Sequence, residues 1–90
     1  MSQNHRAQLD KVTLTVLSRS YCHLCSDMVL ALENLQSRVD FAFHVIDIDA
    51  QTQWESEFGD KVPVLLYEDR ELCHYFLDEP VVTAFLSQLR

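Results

Sequence analysis

The sequence predicts an α/β fold in which a mixed four-stranded β-sheet packs against helices on both faces. Strand-like stretches alternate with helix-like stretches along most of the chain, which favours parallel pairing, and the last two strand-like stretches follow each other directly, which adds an antiparallel hairpin. The 90 residues, 48% hydrophobic and 10% aromatic, suffice for one domain with a core that needs no metal or disulfide to hold it. The expected element order is β-α-β-α-β-β-α.

The first half of the chain predicts a strand, a helix and a second strand. Apolar and polar residues alternate over 12–18, which indicates a half-buried strand. Helical spacing of apolar residues begins near Cys22 and places Arg38 in the last turn of the helix. The residues this helix is expected to bury are Leu24, Met28, Leu32 and Leu35. A second strand is expected over 41–46.

A short helix is expected to follow the second strand. Asp49 is a suitable N-cap, because its carboxylate can accept hydrogen bonds from the first free backbone N–H groups. Trp54 and Phe58 are spaced by one helical turn, and Gly59 is a residue type that commonly ends a helix. This spacing predicts that both aromatic side chains belong to the core.

The last third of the chain predicts a hairpin and a final helix. Residues 62–67 form a strand-like stretch, 68–70 a turn, and 71–75 the returning strand. Asp78 can cap a helix that has Pro80 in its first turn, where a missing N–H costs nothing. The residues expected on the buried stripe of this helix are Val82, Phe85, Leu86 and Leu89.

The motif Cys22-His23-Leu24-Cys25 lies at the junction between the predicted first strand and the predicted first helix. Free N–H groups and the helix dipole at that position favour a thiolate over a thiol, and the thiolate is the reactive form. Cys25 lies one turn later on the same face and can close an intramolecular disulfide. A dithiol redox site is the favoured interpretation, with metal binding and inert packing as the alternatives.

The net charge of −7 argues against nucleic acid or an anionic membrane surface as a partner. The first ten residues lack the apolar stretch of a signal peptide, and no run of the sequence is long and apolar enough to span a membrane. We therefore expect a cytoplasmic, monomeric protein with a flexible N-terminal segment over 1–10 and one domain over 11–90. In a reducing cytosol, a Cys-x-x-Cys pair is more often catalytic or metal-binding than structural.

The stretch Leu17-Ser18-Arg19-Ser20-Tyr21-Cys22-His23-Leu24-Cys25, with Val62-Pro63 further along, resembles the glutaredoxin branch of the thioredoxin fold. More narrowly, the chain is similar to small bacterial glutaredoxin-like proteins. The resemblance covers about residues 11–90. It implies a thioredoxin-like fold, with a four-stranded mixed sheet flanked by three helices.

The resemblance also implies roles for particular residues. Cys22 would be the nucleophile and Cys25 the resolving thiol of a thiol–disulfide oxidoreductase. Arg19 stands where glutaredoxins usually have a lysine, three residues before the nucleophile. Val62 would precede a cis proline, Pro63, and offer its backbone to a bound substrate.

Three departures from the glutaredoxin pattern bear on the substrate. His23-Leu24 replaces the usual Pro-Tyr between the cysteines, and Lys61 replaces the threonine before Val-Pro, which could add positive charge beside the nucleophile. The Gly-Gly that admits glutathione would fall at about Cys73-His74, whose side chains would crowd that tripeptide. We therefore expect no cofactor, a protein disulfide as substrate, and a separate, unidentified reductant.

Two other classes of function stay open at this point. In a metal or iron–sulfur module, Cys22 and Cys25 would be ligands, with Cys73 and His74 as further candidates, although neighbours on a strand point to opposite faces. A non-catalytic adaptor would bind partners through the Pro63 face. For Cys73 alone we expect a buried, inert thiol.

Overall fold

The computed structural model describes residues 11–50 and 58–89, and its sheet has the strand order β2-β1-β3-β4. The elements are β1 (Thr13–Ser18), α1 (His23–Leu35), β2 (Ala42–Asp47), β3 (Val64–Tyr67), β4 (Arg70–His74) and α2 (Glu79–Gln88). β1 pairs in parallel with β2 and antiparallel with β3, and β3 pairs antiparallel with β4. The predicted mixed four-stranded sheet is confirmed.

The core lies on both faces of this sheet. The larger cluster takes residues from β1, α1, β3 and α2 and from the position just before β2: Leu14, Val16, Met28, Leu32, Leu35, Phe41, Leu65, Val82, Phe85 and Leu86. The smaller cluster, on the opposite face, consists of Leu17, Ile48, Phe58, Val64 and Leu66. Alternation along the strands produces this division, because neighbours such as Val16 and Leu17 point to opposite sides. Both described helices pack on the face of the larger cluster.

α1 begins where the sequence predicts, with Cys22 as its N-cap, but it ends earlier. Arg38 is therefore not in the last turn, as we expected; it lies beyond the helix and pairs with Glu79 of α2 at 3.3 Å. The Ser37 hydroxyl donates a hydrogen bond to the Asn34 carbonyl at 2.7 Å, a local bond that competes with a further helical turn. The side chain of Gln36 donates to the Phe41 carbonyl and draws the chain toward β2.

The buried stripe of α1 differs from the prediction at one position. Cys25, and not Leu24, is buried with Met28, Leu32 and Leu35. At 3.6 residues per turn, Cys25 lies almost directly in line with Leu32, seven residues later, whereas Leu24 is turned toward the edge of the stripe. The helix therefore faces the core with one of its two cysteines.

The hairpin and α2 follow the prediction closely. β3 starts at Val64, one residue after Pro63, which has no N–H for the ladder. α2 is capped by Asp78, whose carboxylate accepts a hydrogen bond from the Val81 N–H at 3.2 Å. The expectation for Leu89 was wrong: the helix ends at Gln88, and Leu89 is 41% exposed just past its end.

The predicted short helix after β2 falls mostly on residues 51–57, Trp54 included, which lie outside the described residues, as do residues 1–10. Two helices are thus confirmed, and the third stays a prediction. Phe58, its expected second aromatic, is buried in the smaller cluster. Among the residues that the structure describes, no helix is both long and apolar enough to cross a membrane.

Candidate redox site

The sulfur of Cys22 lies at the amino end of α1. Cys22 has extended backbone angles (φ −114°, ψ 108°) and serves as the N-cap, so its Sγ accepts a hydrogen bond from the Cys25 N–H at 3.1 Å. The two sulfurs are within disulfide distance, and the two Cα atoms are 5.2 Å apart. An N–H that donates to sulfur stabilises the thiolate form when the pair is reduced.

The two cysteines differ in access. Cys25 is 3% exposed and belongs to the buried stripe of α1, whereas Cys22 is half-buried. Cys22 borders a groove of about 700 Å³, whose apolar wall includes Val29, Leu30 and the fully exposed ring of Tyr21. A disulfide that approaches from solvent therefore meets Cys22 before Cys25.

Arg19 lines the same groove and ties together three segments of the chain. Its Nε donates a hydrogen bond to Asp49 Oδ1 at 3.1 Å, just after β2, and its Nη1 donates to the Gly59 carbonyl at 3.1 Å, just before β3. The guanidinium is thus held in place at the end of β1, beside the loop that leads to Cys22.

Val62 and Pro63 lie at the same end of the sheet as this loop. The bond between them is cis, as the resemblance implied. Leu17 and Val64 are partners at the end of the β1–β3 ladder, so the next residue of each strand places Pro63 across from Ser18. The Pro63 carbonyl accepts a hydrogen bond from the Tyr75 N–H at 2.8 Å.

Lys61 is not a free charge. Its Nζ lies 3.6 Å from Glu71 Oε1 on β4 and 5.9 Å from the centre of the Phe58 ring. The other oxygen of Glu71, Oε2, is 2.7 Å from Nδ1 of His74. Glu71 therefore stands between Lys61 and His74.

Cys73 has a different environment from the cysteine pair. It lies half-buried on β4 and packs against the larger core cluster. Burial raises the pKa of the Cys73 thiol, and the charges of Asp78 and Glu71 raise it further. A hydrogen bond with the Asp78 backbone lowers this pKa but does not cancel the rise. His74, its neighbour, is exposed on the other side of the strand. Within 11–50 and 58–89, no three His, Cys, Asp or Glu side chains come together in a group that could hold a metal ion.

Tyr75 is a residue of this region that the sequence did not single out. Its backbone is left-handed (φ 66°), and its hydroxyl donates a hydrogen bond to the Asp60 carbonyl at 3.0 Å. Left-handed backbone is uncommon for a residue other than glycine, and a tyrosine in the sequence gives no indication of it. Together with the bond to Pro63, Tyr75 fastens the end of β4 to the segment before β3.

The fold and the cysteine pair define a small thioredoxin-fold domain with a redox-type site. A family model for the glutaredoxin-like domain (DUF836) matches residues 13–87, and the chain belongs to this family. A protein from Nitrosomonas europaea, solved by NMR, is 43% identical with a TM-score of 0.75, over 83% of this chain and 91% of that one. A crystal structure from X. campestris is 33% identical with a TM-score of 0.61, over 83% and 96%.

Two more distant proteins are also similar to this chain. A protein of Mycobacterium tuberculosis, described only as uncharacterized, is 29% identical over 85 residues, which is 89% of this chain and 88% of that one. A thioredoxin variant from Halobacterium salinarum is 21% identical with a TM-score of 0.60, over 99% of this chain and 84% of that one. At that identity the likeness concerns the fold alone.

Proposed function

We propose that this protein is a thiol–disulfide oxidoreductase in which Cys22 is the nucleophile and Cys25 the resolving thiol. The observation that carries the proposal is the asymmetry of the pair: Cys22 is half-buried beside the groove and its sulfur accepts a hydrogen bond from an N–H at the amino end of α1, while Cys25 is buried one turn later. A reactive cysteine needs both a stabilised thiolate and access for its substrate.

The reaction runs in two exchanges. The Cys22 thiolate attacks one sulfur of a substrate disulfide, so that a Cys22–substrate bond forms and the first substrate thiolate leaves. Cys25 then loses its proton to solvent and attacks the Cys22 sulfur, which releases the second substrate thiolate and leaves a Cys22–Cys25 disulfide. Two electrons pass to the substrate, and a separate thiol reductant must reopen the pair.

The surroundings of the pair support a protein disulfide as the substrate. Val62, next to Pro63, would offer backbone groups for extended pairing with a substrate segment. Arg19 and Lys61 would border that segment. By the resemblance, the two glycines of glutaredoxins would fall at about Cys73 and His74, whose side chains would crowd glutathione, and the proposal includes no cofactor. We propose the cytoplasm as the location and a monomer as the working form.

Single cysteine variants test this assignment. Reduced Cys25→Ser protein should trap a mixed disulfide through Cys22 when it meets a disulfide-bonded protein, because the resolving thiol is missing. Cys22→Ser should trap little, since Cys25 is buried and the raised pKa of Cys73 keeps that thiol protonated. Intact-mass analysis detects the mixed disulfide, and peptide mapping identifies the cysteine that carries it.

The matched control is Cys73→Ser, which removes one thiol and leaves the pair intact. It should turn over a protein disulfide as fast as the unmutated chain does. Trapping by Cys22→Ser as fast as by Cys25→Ser would contradict the nucleophile assignment.

A further inference from the structure

Two cations at the site are each paired with a carboxylate of the same chain. Arg19 pairs with Asp49 at 3.1 Å, and Lys61 pairs with Glu71 at 3.6 Å. In each case the positive charge that a bound anion would need is already balanced by the protein.

Lys61 does not line the groove beside Cys22, but its segment and that of Arg19 meet at the same end of the sheet, which we call the rim of the site. Arg19 lines the groove beside Cys22 and donates to the Gly59 carbonyl, and Gly59 lies within the turn that the Lys61 N–H closes by donating to the Phe58 carbonyl at 2.9 Å. Lys61 is also two residues before Pro63, and Pro63 lies across from Ser18 at the end of β1. A substrate that reaches Cys22 along this rim therefore meets both ion pairs.

Glu71 is the better fixed of the two carboxylates. Its side chain is 29% exposed, against 50% for Asp49, and it contacts both Lys61 Nζ and His74 Nδ1. A substrate carboxylate would have to displace Glu71 from Lys61, or else approach a rim with no net positive charge to offer. Neutral and cationic groups meet no such obstacle.

We propose that Glu71 is a specificity-determining residue: by holding Lys61, it makes the site discriminate against carboxylate-bearing disulfides in favour of neutral or cationic ones. Glu71 acts through Lys61 and does not itself touch the reacting sulfurs. This inference rests on the proposed function, because it concerns which disulfides the Cys22 thiolate attacks.

Three small disulfides of similar size and different charge test the inference: dithiodipropionate (anionic), hydroxyethyl disulfide (neutral) and cystamine (cationic). The rate constant for adduct formation at Cys22 is measured by mass for each reagent in the Cys25→Ser background. The selectivity is the anionic rate divided by the neutral rate, which cancels any general change in Cys22 reactivity. Glu71→Gln should raise this ratio about two- to fivefold, the span expected from partly exposed ion pairs, and should lower the cationic-to-neutral ratio.

The matched control is Glu68→Gln, which removes the same charge from an exposed position at the tip of the same hairpin. Its ratio should stay near that of the parent. Added salt should shrink the gain in Glu71→Gln, because exposed charges are screened beyond about 8 Å at physiological ionic strength.

A double-mutant cycle separates Lys61 from His74, which also contacts Glu71. Lys61→Gln should lower the ratio while Glu71 is present, because the Glu71 carboxylate loses its lysine partner, and should abolish the gain in the Glu71→Gln background. Equal ratios for Glu71→Gln and Glu68→Gln would overturn the inference, and so would a gain that survives Lys61→Gln. If no reagent, the neutral one included, modifies Cys22, the proposed function itself fails.

Discussion

The three cysteines of this chain occupy three different chemical environments. Cys22 is half-buried with its sulfur against an N–H of the first helical turn, Cys25 is sealed into the helix face that meets the core, and Cys73 lies half-buried on the edge strand β4. Exposure distinguishes the nucleophile that we propose from Cys25. The position of Cys22 at the amino end of α1 distinguishes it from Cys73, whose pKa burial raises. Cys73 fits the buried, inert thiol expected from its place on a strand only in part, since it retains some exposure.

The raised pKa of Cys73 predicts a dependence of stability on alkaline pH. Burial raises its folded-state pKa above the usual 9.0, so the unfolded state loses this proton first as the pH rises. The contribution of Cys73 to stability is therefore complete below the unfolded pKa and is lost as the pH rises through the folded pKa. With the pair oxidised, Cys73 is the only free thiol of the three cysteines. Urea unfolding from neutral to alkaline pH should show a steeper loss of stability for the unmutated chain than for Cys73→Ala; equal slopes would contradict the prediction.

At the scale of the element, the capping of α2 gives a test of local stability. The Asp78 carboxylate accepts a hydrogen bond from the Val81 N–H at 3.2 Å, and Glu79 adds a negative charge to the first turn. Asp78→Ala should lower the free energy of unfolding by about 1 kcal/mol, as the loss of such a cap usually does. Asp78→Asn keeps an acceptor and should cost less. Urea unfolding measures both, and equal losses would show that the hydrogen bond to the Val81 N–H is not what stabilises the helix.

Helix boundaries and burial were predicted well where residue types within one turn determine them, and less well where contacts with residues elsewhere determine them. The start of α1 and the cap of α2 follow from residue types within one turn. The end of α1 does not, because side chains of Gln36 and Ser37 bind backbone carbonyls and stop the helix before Arg38. Whether Leu24 or Cys25 is buried depends on the helix's rotation against the sheet, since both fit the apolar spacing.

At the scale of the whole molecule, the order of strand-like and helix-like stretches predicted the mixed sheet and the place of the cysteine pair, and the resemblance to glutaredoxins implied the cis bond before Pro63. They did not predict the partners of the charged side chains. Lys61 meets Glu71 of β4, which pairs with β3 with an irregularity between Leu65 and Leu66, and Arg19 meets Asp49 across the end of the sheet. Side-chain pairing of this kind depends on strand register, which composition and periodicity do not specify.

The strand order also has a consequence for how the chain folds. β3 and β4 are joined by a two-residue turn and can pair early, whereas the β1–β3 ladder joins segments far apart in sequence and pays the larger loop-closure entropy. The two cysteines are close enough in sequence to form a disulfide in an unfolded chain. Pro63, however, reaches their loop only when β1 docks against β3.

Native-state hydrogen exchange can test whether the site is lost only when the whole chain unfolds. Hydrogen-bonded amides of the β1–β3 ladder, near Val16 and Leu65, should exchange only through global unfolding, while those near the hairpin tip at Tyr67 and Arg70 should exchange through smaller openings. If the amides of the β1–β3 ladder exchanged as readily as those of the hairpin tip, β1 could separate from β3 through a local opening. The site would then be lost without global unfolding. The expected pattern instead makes a complete redox site a property of the fully folded chain, so partly folded molecules could hold the disulfide without presenting it to a partner.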